Sequence, residues 1–258
     1  MLGLGTTITS IDSGQIYKEL SELDNYTDLD VHFDFSTLAG THGDEVDTVT
    51  NLGAADGVDI DSNEGTPTLD RTTMSRASVA FTGSDTILDM EANYTTTNKA
   101  STIFMVFQKG DLTNDYILAS SDDSNTASIK TAGGGGSILC KYGNTSHFSI
   151  ACNNTDDSSI NYTFAANTPT VLVVSRNTAG EVVIYADNNL KIAEKANTTS
   201  KAGATFTLGA IGGTTSGSLA DWIGNVCEVG IYDVELSVAN ITILLESLCT
   251  KWGVDRRE

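Results

Sequence analysis

The sequence predicts an all-β chain, an antiparallel β-sandwich with a short helix before it and another after it. Three observations carry that expectation. A dozen short segments alternate apolar and polar residues and are separated by Gly, Asn and Asp. The chain holds 24 Gly but only 2 Pro in 258 residues, so its turns must come from residues that tolerate a left-handed backbone. The period then lengthens near each end, from that of a strand to that of a helix.

The elements follow in chain order. Ser13 is placed to cap a short helix over 14–24, with Ile16, Leu20 and Leu23 on one stripe. Residues 1–12 are small and polar and read as an arm ordered by an assembly partner. Val31–Phe35 then alternates as a first strand, followed by a long polar stretch over 39–76. Further strands are expected at Val79–Phe81, Thr86–Met90, Thr102–Phe107, Tyr116–Ala119, Ser137–Tyr142, His147–Cys152 and Ile160–Phe164. Thr170–Ser175, Glu181–Ala186, Thr205–Leu208 and Ile223–Tyr232 complete the set. Ser237 caps a closing helix whose Ile241, Leu244, Leu245, Leu248 and Trp252 share one face, and Gly253 ends it. The expected organisation is residues 1–28 as an arm with a short helix, for attachment or oligomer contact, and 29–258 as one sandwich.

Charge narrows the partners. With 34 Asp and Glu against 14 Lys and Arg, the net charge of -20 opposes binding to nucleic acid or to anionic membranes. From Glu19 to Asp70 there are ten Asp, four Glu and no Lys or Arg. Such a stretch is either a solvated face or the seat of a divalent cation. The best local cation cluster is Asp59, Asp61 and Asn63, with Asp70 twelve positions along from Asp59 counted inclusively. Glu64 stands where the sharp turn of a calcium loop wants Gly, and Gly65 follows one place late. A structural Ca²⁺ is therefore an expectation at Asp59, Asp61, Asn63 and Asp70. Asp122–Asp123 and Asp156–Asp157 are further paired acids.

No segment is apolar for long enough to span a membrane, and the amino terminus lacks the basic residues of a signal peptide. Seven Asn-x-Ser/Thr sequons, at Asn25, Asn93, Asn144, Asn153, Asn161, Asn197 and Asn240, then read as by-products of composition. Cys140, Cys152, Cys227 and Cys249 make no metal spacing, and reduced thiols are expected, although Cys140 and Cys152 could face each other across a hairpin.

The closing segment Asp221-Trp222-Ile223-Gly224-Asn225-Val226-Cys227-Glu228-Val229-Gly230-Ile231-Tyr232-Asp233, then Leu236-Ser237, then a helix ending Lys251-Trp252-Gly253, resembles the end of laminin-G-like, concanavalin A-like jelly rolls. Val79–Asp85 is similar to an inner strand and turn of that family, and Thr170–Ser175 with Gly180–Tyr185 to a later hairpin. Leu29–Phe35 resembles the opening of bacterial and phage members, with Phe33 where Trp is common. The resemblance covers residues 28–253 and implies a concanavalin A-like jelly roll. It leaves function open, because lectins, hydrolases, adhesins and virion proteins share that fold.

Enzyme motifs are not met. The retaining-glycosidase pattern of the fold needs three acids on one strand, and Glu45-Val46-Asp47-Thr48-Val49-Thr50 lacks the third. Glu228 stands alone on the closing strand. His32, His42 and His147 form no nucleophilic triad, Gly213–Gly217 puts Ser one place off a nucleophile elbow, and Gly133–Gly136 has no following Lys. The expectation is a non-enzyme with no catalytic residue. Its first form is a virion accessory protein of a phage, a head decoration, fibre or tail subunit. That subunit would be made in the host cytoplasm and anchored by residues 1–28 to a capsid or tail protein or to its own copies, with loops touching host glycans. The alternative is a free carbohydrate-binding module, with Tyr94, Tyr116, Tyr142, Tyr162 and Trp222 as candidate aromatics; a glycan hydrolase ranks below both.

Overall fold

Two antiparallel sheets face each other, and one helix lies across the outside of the first. The computed structural model of the chain describes residues 20, 23, 26–83, 86–96, 100–110, 115–119, 138–143, 147–152, 155–160, 165–179, 181–187, 189–195, 207–213 and 222–254. In chain order the strands are β1 (Leu29–Asp34), β2 (Ile60–Glu64), β3 (Thr68–Asp70), β4 (Ser78–Thr82), β5 (Ile87–Thr95), β6 (Ser101–Lys109), β7 (Asp115–Ala119) and β8 (Ile138–Gly143). They continue as β9 (His147–Cys152), β10 (Thr155–Ile160), β11 (Pro169–Arg176), β12 (Val182–Ala186), β13 (Asn189–Lys195), β14 (Thr207–Ile211) and β15 (Ile223–Tyr232) before the helix α1 (Val238–Trp252).

The first sheet has 8 strands in the order β13-β12-β11-β6-β15-β4-β3, with β1 also on β15; the second has 7 in the order β10-β9-β8-β7-β14-β5-β2. The all-β expectation holds, with strands added where alternation is weak. β2 and β3 lie inside the polar stretch. Their short polar sequences are held by backbone pairing to β5 and β4. β13 follows β12 as an unforeseen hairpin partner, and the strand expected at Ile160–Phe164 is instead β10, with 161–164 outside the described residues. The amino-terminal helix expected over 14–24 falls largely outside them too; its described Leu20 and Leu23 are buried.

The middle strands show why the two layers and the helix go together. β6 is buried at every position, and its side chains alternate between two clusters. Ile103, Met105 and Phe107 enter the core between the sheets, while Phe104 and Val106 enter the cluster under α1. β11 repeats the division, with Leu172 and Val174 inward and Val171 and Val173 toward the helix. A strand covered on both faces reads as a continuous apolar run. Leu20 and Leu23 join the second cluster, with Tyr26 packed against it, so the residues just before β1 belong to the helix side of the sandwich.

β15 carries the switch that shapes the site. Its register against β6 jumps between Val226 and Glu228, a β-bulge with Cys227 as the extra residue. At the same place its other edge passes from β4 to β1. The bulge lets Val226, Val229 and Ile231 all enter the inner core despite their odd spacing. It also leaves two successive residues, Cys227 and Glu228, outside that core, with Cys227 in the cluster under α1. Just before it, Gly224 has φ +137°, and a Cβ there would stand 2.2 Å from the Gln108 carbonyl oxygen. Gly224→Ala is expected to destabilise the fold by about 3 kcal/mol, measured as a shift of the urea midpoint at constant slope.

The acidic segment between β1 and β2 has a structural job. Leu52, Ala54 and Ala55 donate backbone hydrogen bonds to the carbonyls of His32, Leu29 and Asp30, covering the edge of β1. Glu45 bridges to Thr68 on β3, and Val49 to Ile60 on β2. Asn51 holds the corner: its amide nitrogen donates to the Asp30 and Ala55 carbonyls, and its oxygen accepts from the backbone N–H of His32 and Gly53. One side of the sandwich is thereby closed by charged chain, which protects its edges from pairing with other molecules.

Candidate functional site

A dense polar cluster lies where β1, β15 and the last turn of α1 meet. Glu228 is fully buried, and both of its carboxylate oxygens are used. His32 Nε2 lies 2.8 Å from Oε1; Lys251 Nζ and Trp252 Nε1 each donate to Oε2 at 2.7 Å. A carboxylate only accepts, so the His32 hydrogen toward Glu228 sits on Nε2. Lys251 also donates to Asp34 Oδ2 at 2.7 Å. The other Asp34 oxygen caps the 3-10 turn after β1 by accepting from the backbone N–H and the hydroxyl of Ser36.

Local sequence explains the convergence. Period two along β1 places His32 and Asp34 on the same side of the strand, opposite Gly230 and Glu228. Ser237 accepts from the Asn240 backbone N–H to start α1, and Gly253 ends the helix in the left-handed region at φ 65°. The helix is thus stopped with Lys251 and Trp252 over the bulge. The lysine sits in the last turn, where a cation also suits the helix dipole.

Burial would push the Glu228 carboxyl up, but the His32 hydrogen bond and the Lys251 charge hold it below the ordinary carboxylate range. Burial likewise works against the Lys251 ammonium, and Glu228 with Asp34 raise it above the usual lysine value. Donor atoms of His32, Asp34 and Glu228 lie within 4.8 Å of one another, a spacing that suits a cation. Here the tethered ammonium of Lys251 supplies the positive charge. With no exposed surface and both oxygens engaged, Glu228 is placed to hold the helix and has no room to act on a substrate.

The four residues expected to hold Ca²⁺ are split between the sheets. Asp59 precedes β2 and accepts from the Asn51 backbone N–H, Asp61 and Asn63 lie on β2, and Asp70 ends β3. Residues 59–70 therefore form two strands and a turn where the sequence reading had a loop. Asn63 donates to the Val46 carbonyl at 2.9 Å. Asp70 is buried and accepts from the backbone N–H of Thr72 and Thr73, both threonine hydroxyls and Asn225 Nδ2. Burial opposes its charge, and these donors, Thr73 first, hold its carboxyl well below the usual range. His42, mostly exposed, approaches it at 3.4 Å. Asp122–Asp123 fall outside the described residues.

Two of the candidate sugar-binding aromatics are core residues. Trp222 is 1% exposed and packs edge-on against Phe107 with Lys109 over its ring. Tyr94 is 6% exposed and donates to Asp30 Oδ2 at 2.6 Å. No described aromatic side chain is exposed. Tyr162 lies outside the described residues, and Tyr116 and Tyr142 have described backbone on β7 and β8. Cys227 and Cys249 are buried free thiols; in the β8–β9 register Cys140 stands opposite Ile150 and Cys152 opposite Ile138.

Solved structures share this arrangement of sheets. A sialidase of Trypanosoma rangeli in complex with sialic acid superposes with a TM-score of 0.58 at 14% identity, over 86% of this chain and 33% of that one. The binding domain of botulinum neurotoxin DC, solved with rat synaptotagmin II, gives 0.58 at 12% identity over 87% of this chain and 52% of that one. Domain 4 of a GH43 extracellular arabinanase from Geobacillus stearothermophilus, in complex with arabinotriose, gives 0.53 at 14% identity over 84% and 98%. The chain has the fold of an antiparallel β-sandwich of the jelly-roll type. This jelly roll spans a third of the sialidase chain and half of the toxin fragment, and at these identities the likeness is one of fold. No family model and no curated protein sequence matches it.

Within the jelly roll, α1 and Leu20 with Leu23 cover the outer face of the 8-stranded sheet. In the 7-stranded sheet the successive residues Ile87 and Leu88 of β5, and Ala210 and Ile211 of β14, are fully buried, while Glu91 and Ala92 of β5 are exposed. None of the described helices is long and apolar enough to cross a membrane.

Proposed function

We propose that this jelly roll is a glycan-binding module that works by recognition, without chemistry on its ligand. The observation that carries the reading is the match to an isolated domain over 98% of that domain's length, a domain solved with arabinotriose bound. The ligand surface lies away from α1, which closes the outer face of the 8-stranded sheet. The described cluster of His32, Asp34 and Glu228 is sealed under the helix, which favours binding over hydrolysis. The virion accessory role expected from residues 1–28 gains no support from the structural neighbours. The glycan reading takes its place.

Titration with arabino-oligosaccharides and sialosides, followed by NMR, tests it. Saturable shifts confined to one patch away from α1, with the sugar recovered intact by mass spectrometry, are the expected result. No saturation by any glycan at about 1 mM, a dissociation constant worth only about 4 kcal/mol, would overturn the module reading. Shortened sugar in the recovered sample would overturn its non-catalytic part.

A further inference from the structure

The two sheets end differently on their two sides. On one side β1, β2 and β3 are covered by the acidic segment, whose backbone uses their free hydrogen-bonding groups. On the other side stand β13, paired only with β12, and β10, paired only with β9, among the described residues. Both terminal strands lie on this same side, because β2 and β3 are joined by only residues 65–67 and each is last at the opposite end of its sheet.

The strand directions follow from the connectivity. Residues 65–67 carry the chain from one sheet to the other at one end of the sandwich, so β3 runs back against β2. Every pairing in both sheets is antiparallel, and six steps separate β3 from β13 and β2 from β10. Hence β13 runs as β3, β10 runs as β2, and the two edge strands are antiparallel to each other.

Their sequences are opposite in charge. β10 reads Thr155-Asp156-Asp157-Ser158-Ser159-Ile160, with two acids and no base. β13 reads Asn189-Leu190-Lys191-Ile192-Ala193-Glu194-Lys195, with two lysines and one acid. In a chain with only 14 Lys and Arg, two on one edge strand is a concentration.

We propose that a second copy of this chain docks on this side through a two-fold axis parallel to the strands. Each β13 then lies antiparallel beside the β10 of the other copy, so that each sheet continues into the other sheet of its partner. A two-fold perpendicular to the sheets would instead set β13 on β13 and β10 on β10, putting lysines against lysines and aspartates against aspartates. Charge therefore selects the first arrangement. Main-chain hydrogen bonds supply the affinity, and the Lys–Asp pairing supplies the choice of partner. The inference is independent of the glycan reading; a dimer would present two such modules at once.

Sedimentation velocity on the full chain tests it, at low salt and again near 1 M salt, where the screening length falls to about 3 Å. The expected result is a dimer weakened by salt. Lys191→Glu with Lys195→Glu should weaken it about tenfold or more, as should Asp156→Lys with Asp157→Lys. All four changes in one chain should restore it. A wild-type monomer at every concentration, reversals without effect, or no restoration in the fourfold variant would each overturn the arrangement. If a variant fails to fold, hydrogen exchange on the wild type replaces it. Protection of β10 and β13 that rises with protein concentration supports the pairing, and protection independent of concentration removes it.

Discussion

A chain ending at Leu236 is expected to be insoluble, with no native-like core. Truncation there removes α1, whose Ile241, Leu244, Leu245, Leu248 and Trp252 are each 1% exposed or less. It also uncovers Phe104, Val106, Val171 and Val173, which the helix shields. At about 2 kcal/mol for each large apolar side chain, the five helix residues account for on the order of 10 kcal/mol. That is comparable to the whole stability of an ordinary domain, about 5–15 kcal/mol. The middle strands of the 8-stranded sheet would then present a wide apolar face to water, the condition for aggregation. Expression of residues 1–236 with measurement of the soluble fraction and near-UV circular dichroism checks the expectation. A soluble fragment with a native near-UV spectrum would show that the two inner faces suffice. Leu244→Asp with Leu248→Asp in the full chain separates lost packing from a shortened chain, and it should give the same loss.

The sandwich was legible because its central strands are covered on both faces. Thr102–Phe107 and Thr170–Ser175 are apolar runs that only a doubly buried strand explains, and both lie in the middle of the 8-stranded sheet. Strands with little apolar content were illegible: β2 and β3 sit at sheet ends, where backbone pairing replaces side-chain burial. The row Val226, Val229, Ile231 showed the limit of period counting. Its odd spacing breaks strict alternation, and only the bulge at Cys227 reconciles it.

The site was legible in pieces. Gly224, Glu228, Lys251, Trp252 and Gly253 were recognised as a sequence resemblance spread over thirty residues, without a reason for their recurring together. The structure supplies the reason, since Lys251 and Trp252 both donate hydrogen bonds to Glu228 and Gly253 fixes where the helix stops. His32 and Asp34 joined them unforeseen. The only signal in the sequence was two polar residues at alternate positions of a strand that is otherwise apolar. The acidic stretch pointed to a calcium loop because charge density carries no topology. Residues eleven apart in sequence, Asp59 and Asp70, end near different sheets once β2 and β3 intervene.

Glu228→Ala should cost the fold about 3–5 kcal/mol, because it strands two buried donors and leaves Lys251 beside Asp34 alone. For a chain of 258 residues that corresponds to a fall in Tm of about 10 °C. Lys251→Met should cost less than Glu228→Ala, since the methionine stem refills the space while Glu228 keeps His32 and Trp252. The double variant Glu228→Ala with Lys251→Met should be more stable than the sum of the two losses allows, by about 1–3 kcal/mol of coupling. Additive losses would show that the ammonium and the carboxylate do not stabilise each other. The pH dependence follows from the same pair. Glu228 has a lowered carboxyl in the folded chain, so its contribution is complete above about pH 4.3 and is lost as pH falls through its folded value. Lys251 is raised, so its contribution is complete below about pH 10.4 and is lost as pH rises past its folded value. Between those limits the latch holds in full. Urea titrations across the range should show the wild type losing stability at the acid end more steeply than Glu228→Ala, whose curve lacks that carboxylate. Parallel curves would place the acid sensitivity elsewhere, with Asp70, the other buried carboxylate held low by its hydrogen bonds, as the next group to replace.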